Sequence, residues 1–75
     1  MTTEDVEVVH TEWVFNVQEA INREKHKRGI KTNKELADML NEGTSQFSRM
    51  YQGGTDNKSK QIRQKVFTLF NIRDV

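Results

Sequence analysis

The strongest limit on how this chain can fold comes from two short helical patterns with almost nothing between them. Residues 35–53 read ELADMLNEGTSQFSRMYQG. Leu36, Ala37, Met39 and Leu40 repeat at helical spacing. Phe47 and Met50 then resume it three residues apart, with Tyr51 alongside. Thr32 and Glu35 form a capping box at the start of the first pattern. Asn41, which tolerates a left-handed backbone, ends it. Gly53 and Gly54 close the second pattern, and Gly43 or Thr44 is an acceptable N-cap for it. Two short helices joined by a tight turn cross steeply and need a small residue where their backbones approach. Ala37 is placed to be that residue.

The flanking segments supply a body for this pair. Trp13, Val17, Ala20 and Ile21 make an apolar stripe on a helix predicted over about Glu12–Lys27, widened near its start by Val14 and Phe15 and stopped by Gly29. A further helix is expected from Asn57 or Lys58 to Asn71. Ile62, Val66, Leu69 and Phe70 form its buried stripe, Phe67 widens it, and Ile72 folds back onto the core. Nothing reads as a strand, there is no proline, and glycine is scarce. The expected fold class is therefore all-α, a compact bundle of four helices, or five if the C-terminal stretch divides. Residues 12–75 make one domain, and a chain of this length buries only about 60 % of its unfolded surface. Residues 1–11 are expected to be an acidic tail, disordered or a short extension of the first helix.

Charge is unevenly spread. Residues 1–12 carry Glu4, Asp5, Glu7 and Glu12 and no Lys or Arg. The other seven acidic and all twelve basic side chains lie in residues 13–75, a net charge of +5 there. The basic groups cluster twice, as Arg23, Lys25, Lys27, Arg28, Lys31 and Lys34, and as Lys58, Lys60, Arg63 and Lys65. Such clusters suit phosphate contact as well as solvation, and Lys58, Lys60 and Arg63 are divided between those two roles.

Other chemistry is thin. There is no cysteine, hence no disulfide, no thiolate metal site and no thiol nucleophile. His10 and His26 lack metal-ligand spacing. No cofactor, metal or catalytic arrangement is legible, and the chain is not expected to be an enzyme. No apolar run approaches the roughly 18–20 residues needed to cross a bilayer, and no signal peptide is evident, so no membrane partner and a cytoplasmic location are expected. Trp13 is expected to pack, since no second aromatic makes a stacking ledge beside it.

The second short helix can bury Phe47 and Met50 only by leaving Thr44, Ser45, Gln46, Ser48, Arg49 and Gln52 outside. All six can hydrogen-bond, and none is a carboxylate that phosphates would repel. Gln can pair with adenine, and Arg with guanine, in the major groove. This is the logic of a helix-turn-helix. The stretch resembles, without a gap, the helix-turn-helix of the lambda-repressor-like proteins, the Cro and repressor regulators of temperate phages and their bacterial relatives. Their pattern is roughly ELAxxLGVSxxxISRIExG, and Leu36, Ala37, Leu40, Phe47, Ser48, Arg49, Met50 and Gly53 take the matching places.

The resemblance implies that Thr44, Ser45, Gln46 and Arg49 contact bases. It implies that Asn33, Lys34, Ser48, Gln52, Thr55, Asn57 and Lys58 contact phosphate. It also implies a bacterial or phage-infected cell. The chain departs from the pattern at Asn41, in place of a turn glycine, and at Glu42, in place of an apolar turn residue. Glu42 is expected to loosen or reshape the turn and to put a negative charge close to the DNA. Two functions follow as expectations. One is a small regulator on double-stranded DNA, pairing as a homodimer through its own helices. The other is an anti-repressor or modulator that binds another regulator, such as a phage repressor, through its acidic tail and Glu42, with Phe47, Met50 and Tyr51 adding apolar contact.

Overall fold

The computed structural model describes the backbone of residues 3–73 and the side chains of residues 11–73. Four helices follow one another: α1 Thr3–Arg28, α2 Asn33–Met39, α3 Thr44–Tyr51 and α4 Asn57–Phe70. Among the described residues there is no strand, so the all-α bundle is the architecture. The C-terminal stretch is a single helix.

α1 begins nine residues before the expected Glu12. Residues 3–11, expected to be disordered or a short extension of the first helix, are the start of this helix; Met1, Thr2 and the side chains up to His10 lie outside the described residues. A run of acidic residues is favourable at a helix N-terminus, where the dipole is positive. The last turn carries Lys25, His26, Lys27 and Arg28, which suit its negative end.

All four helices stop in the same way. After α1 the Ile30 amide donates to the Lys25 carbonyl at 2.9 Å. After α2 Glu42 donates to Ala37 at 2.9 Å, after α3 Gly54 to Arg49 at 2.9 Å, and after α4 Ile72 to Phe67 at 2.9 Å. Each bond closes over a residue with positive φ: Gly29, Asn41, Gly53 and Asn71 in turn. This is the Schellman motif, which satisfies end carbonyls that the helix itself cannot. The α2 start is as expected at its N-cap, with the Glu35 amide donating to Thr32 Oγ1 at 3.1 Å. The Glu35 carboxylate, however, accepts from the Lys31 amide at 3.0 Å rather than from Thr32.

The core is Val17 and Ile21 of α1, Leu36 and Ala37 of α2, Phe47 and Met50 of α3, and Ile62, Val66 and Phe70 of α4. Trp13, Ile30, Leu40, Tyr51, Phe67 and Ile72 pack around it, half-buried. α3 is held chiefly against α4, next against α2, and least against α1. Ala37 is fully buried.

Among the described residues three large apolar side chains are exposed: Phe15, Met39 and Leu69. Leu69 was expected on the buried stripe of α4. That stripe is instead Ser59, Ile62, Arg63, Val66 and Phe70. Its centre is rotated away from Leu69, which lines an open groove with Met39 and Leu40.

Candidate nucleic-acid interface

The turn between α2 and α3 places everything else. Asn41 takes φ 58°, and the chain then passes through Glu42 to Gly43, the N-cap of α3. Gly43 has no side chain to cap the helix, so the choice between Gly43 and Thr44 falls to the backbone-only cap. Thr44, the first residue of α3, is exposed, as are Ser45, Gln46, Ser48, Arg49 and Gln52. Phe47 and Met50 are each 1 % exposed. The short helix is split as its sequence predicts, with an apolar back and a front of hydroxyl, amide and guanidinium groups.

The back of α3 is pinned from two helices. Gln18 Nε2 of α1 donates to the Tyr51 carbonyl at 2.8 Å, and the Tyr51 hydroxyl donates to Asn22 Oδ1 at 3.2 Å. The Phe47 and Tyr51 rings stack with centroids 6.4 Å apart. From α4, Arg63 Nη2 donates to the Gly54 carbonyl at 2.7 Å and to the Met50 carbonyl at 3.4 Å. These donors serve carbonyls at the C-terminal end of α3, where the helix dipole is negative and a guanidinium is favourable.

Arg63 is therefore a structural residue, not a surface cation for phosphate. It is buried, and its guanidinium lies over the Trp13 ring at 4.9 Å from the centroid. Burial lowers its pKa, with the Asp56 charge opposing. Trp13 packs in the way expected and gains a cation on its face.

Glu42 is the main departure from expectation. Its charge does not face outward, and it does not loosen the turn. The side chain is 4 % exposed and bonded to two cations of α4: Lys58 Nζ at 2.8 Å, and Lys65 Nζ. Lys65 also donates to the Leu40 carbonyl at 3.5 Å, at the end of α2. The pair of lysines, Lys58 first, holds the Glu42 carboxyl below its ordinary 4.5. A position that an apolar residue would fill is thus filled by a neutralised acid.

The remaining phosphate candidates divide into two sets. Ser48, Gln52, Thr55 and Asn57 are exposed along α3, the loop behind it and the start of α4. Lys34 is exposed but ion-paired with Asp38 at 3.3 Å, and Lys58 is engaged by Glu42. Asn33 is half-buried, and its Oδ1 accepts from Lys25 Nζ at 2.6 Å. Lys25 is itself buried, which pushes its pKa down against the pull of Glu35. This contact clamps α1 to the start of α2.

One carboxylate stands close to the exposed front. Asp56 caps α4, accepting from the Ser59 hydroxyl at 2.7 Å and the Ser59 amide at 3.3 Å. The Ser59 bonds lower its pKa, and the Arg49 charge adds to this. Sequence reading missed this cap, although an Asp three residues ahead of a Ser, just before a helix, is a legible signal. It also missed Arg63, although spacing from Val66 and Phe70 places it on the buried stripe.

Among the described residues, no group of three or more His, Asp or Glu side chains is placed to hold a metal ion. No described helix is long and apolar enough to cross a membrane. No protein-family model, curated protein or solved structure matches the chain.

Proposed function

We propose that the chain is a small DNA-binding regulator of the Cro/repressor type, with α2 and α3 as a helix-turn-helix and α3 entering the major groove. The observation that carries this reading is the two-sided build of α3. Its back is fixed by Phe47, Met50, Gln18, Tyr51 and Arg63, while the side chains of Thr44, Ser45, Gln46 and Arg49 stand exposed. A rigid short helix presenting donors and acceptors suits base edges. Ser48, Gln52, Thr55 and Asn57 would touch phosphate beside it. Two copies on successive major grooves, about 34 Å apart, are the natural arrangement, in a bacterial or phage-infected cytoplasm.

Gel shifts on random duplex DNA at two salt concentrations, with size exclusion of the free protein, test this directly. Binding that weakens steeply with salt supports it. Failure to bind at low salt overturns it.

A second reading has its own support. The exposed apolar groups Met39 and Leu69 and the ion-paired state of Lys34 and Lys58 suit a module that binds another regulator rather than DNA. In that case a protein partner is captured while DNA affinity stays absent. Deleting residues 1–10 separates the two: improved DNA binding favours the first, lost partner binding the second.

A further inference from the structure

We infer that Glu42 sets the ratio of base-specific to sequence-independent DNA affinity by keeping Lys58 and Lys65 from the phosphate backbone. This rests on the DNA-binding reading of α3. Glu42 immediately precedes Gly43, the N-cap of α3, so its carboxylate sits at the foot of the helix that would enter the groove. Lys58, on the first turn of α4, reaches back to it at 2.8 Å.

Affinity for the DNA backbone scales with the number of cations free to displace counterions from phosphate. A cation already neutralised adds little. The exposures show which pairs can exchange. In the Lys34–Asp38 pair both side chains are open, 71 % and 62 % exposed, and such a pair yields readily to a phosphate. Glu42 is different: it is 4 % exposed, while Lys58 and Lys65 are 45 % and 47 % exposed. Transfer of Lys58 to phosphate would leave the Glu42 carboxylate with Lys65 alone, at the cost of one charge-assisted hydrogen bond in a site that water barely reaches. The buried acid therefore outcompetes the surface phosphate. Contacts from Thr44, Ser45, Gln46 and Arg49 do not involve this pair, so sequence-independent affinity falls while discrimination is kept.

The test is filter binding of random-sequence duplex DNA across a salt titration, with circular dichroism melts to verify folding. Glu42→Gln keeps the shape and loses the charge. It is expected to bind more tightly than the wild type, with the log–log salt slope steeper by about 1–2, at roughly 0.9 per recovered cation. Adding Lys58→Met to it should remove about 0.9 of that gain. Lys58→Met alone should leave the wild-type slope unchanged, and this variant decides the matter if Glu42→Gln does not fold: a slope reduced by about 0.9 overturns the inference. A folded Glu42→Gln protein with the wild-type slope also overturns it, while the DNA reading survives. Absence of binding by wild type and Glu42→Gln alike removes the reading and the inference together.

Discussion

The Gly54 amide donates to the Arg49 carbonyl at 2.9 Å, and the Gly54 α-carbon passes so close to Arg49 that no side chain fits on it. A β-carbon there would lie 2.5 Å from Ser59 Oγ, 2.9 Å from Arg49 Cγ and 2.9 Å from the Arg49 carbonyl oxygen. The same residue thus ends α3, accepts the Arg63 guanidinium on its own carbonyl, and borders the stem of the arginine proposed to read a base. Gly54→Ala should cost about 1–3 kcal/mol through overpacking. For a domain this small that is a fall of roughly 5–20 °C in Tm, since each kcal/mol is worth about 4–8 °C. A thermal melt checks it, and an unchanged Tm would mean that the loop yields freely.

Arg63 ties α4 to the end of α3 and supports Trp13. Arg63→Ala should destabilise the fold by about 2–3 kcal/mol, because buried carbonyls of Met50 and Gly54 lose a charged donor. Trp13 is the sole tryptophan, so its fluorescence reports directly on the lost cation. Arg63→Lys should not restore stability, as a single ammonium cannot reproduce the planar fork that lies on the indole and reaches the carbonyls together.

Acid should weaken the fold through two carboxylates. Lys58 and Lys65 hold Glu42 below its ordinary 4.5, and Ser59 holds Asp56 below its ordinary 3.8. A folded pKa below the unfolded one means that the unfolded chain binds protons first as pH falls. The stabilisation is complete above pH 4.5 and is lost as pH drops through the folded values. Melts taken between neutral pH and strongly acidic pH should show wild type losing Tm faster than Glu42→Gln, so that the gap between them narrows. A constant gap would mean that Glu42 does not stabilise the turn by its charge.

Arg49 is exposed and only adds its charge beside Asp56, so Arg49→Ala should change Tm little. If Arg49 reads a guanine in bidentate fashion, the change should cost about 1–3 kcal/mol of affinity for a selected site. Selection of the preferred duplex, followed by titration with both proteins, checks this. Equal affinity of the two proteins for that duplex would confine Arg49 to a phosphate or to solvent.

Much of the scaffold was legible in the residues alone because its signals are local. Gly29, Asn41, Gly53 and Asn71 mark helix ends through the conformation of one residue and a bond five residues back. Thr32 and Glu35 mark a start within three residues. The apolar spacing of α3 divides its two faces without reference to any other helix, and the exposure of Thr44, Ser45, Gln46 and Arg49 follows from it.

What the sequence could not reveal depends on groups far apart in the chain. Lys65 meets Glu42 across 23 residues, and Tyr51 meets Asn22 across 29. Spacing within one helix does not say which neighbour covers which side. Leu69 therefore reads as core and stands exposed, while Arg63 reads as a surface cation and is buried. The sequence by itself determined the helical class, where each helix stops, and which edge of α3 faces out. Only the tertiary structure decided which charges remain available to a ligand, because an ion pair between helices forms only after packing has brought its two side chains together.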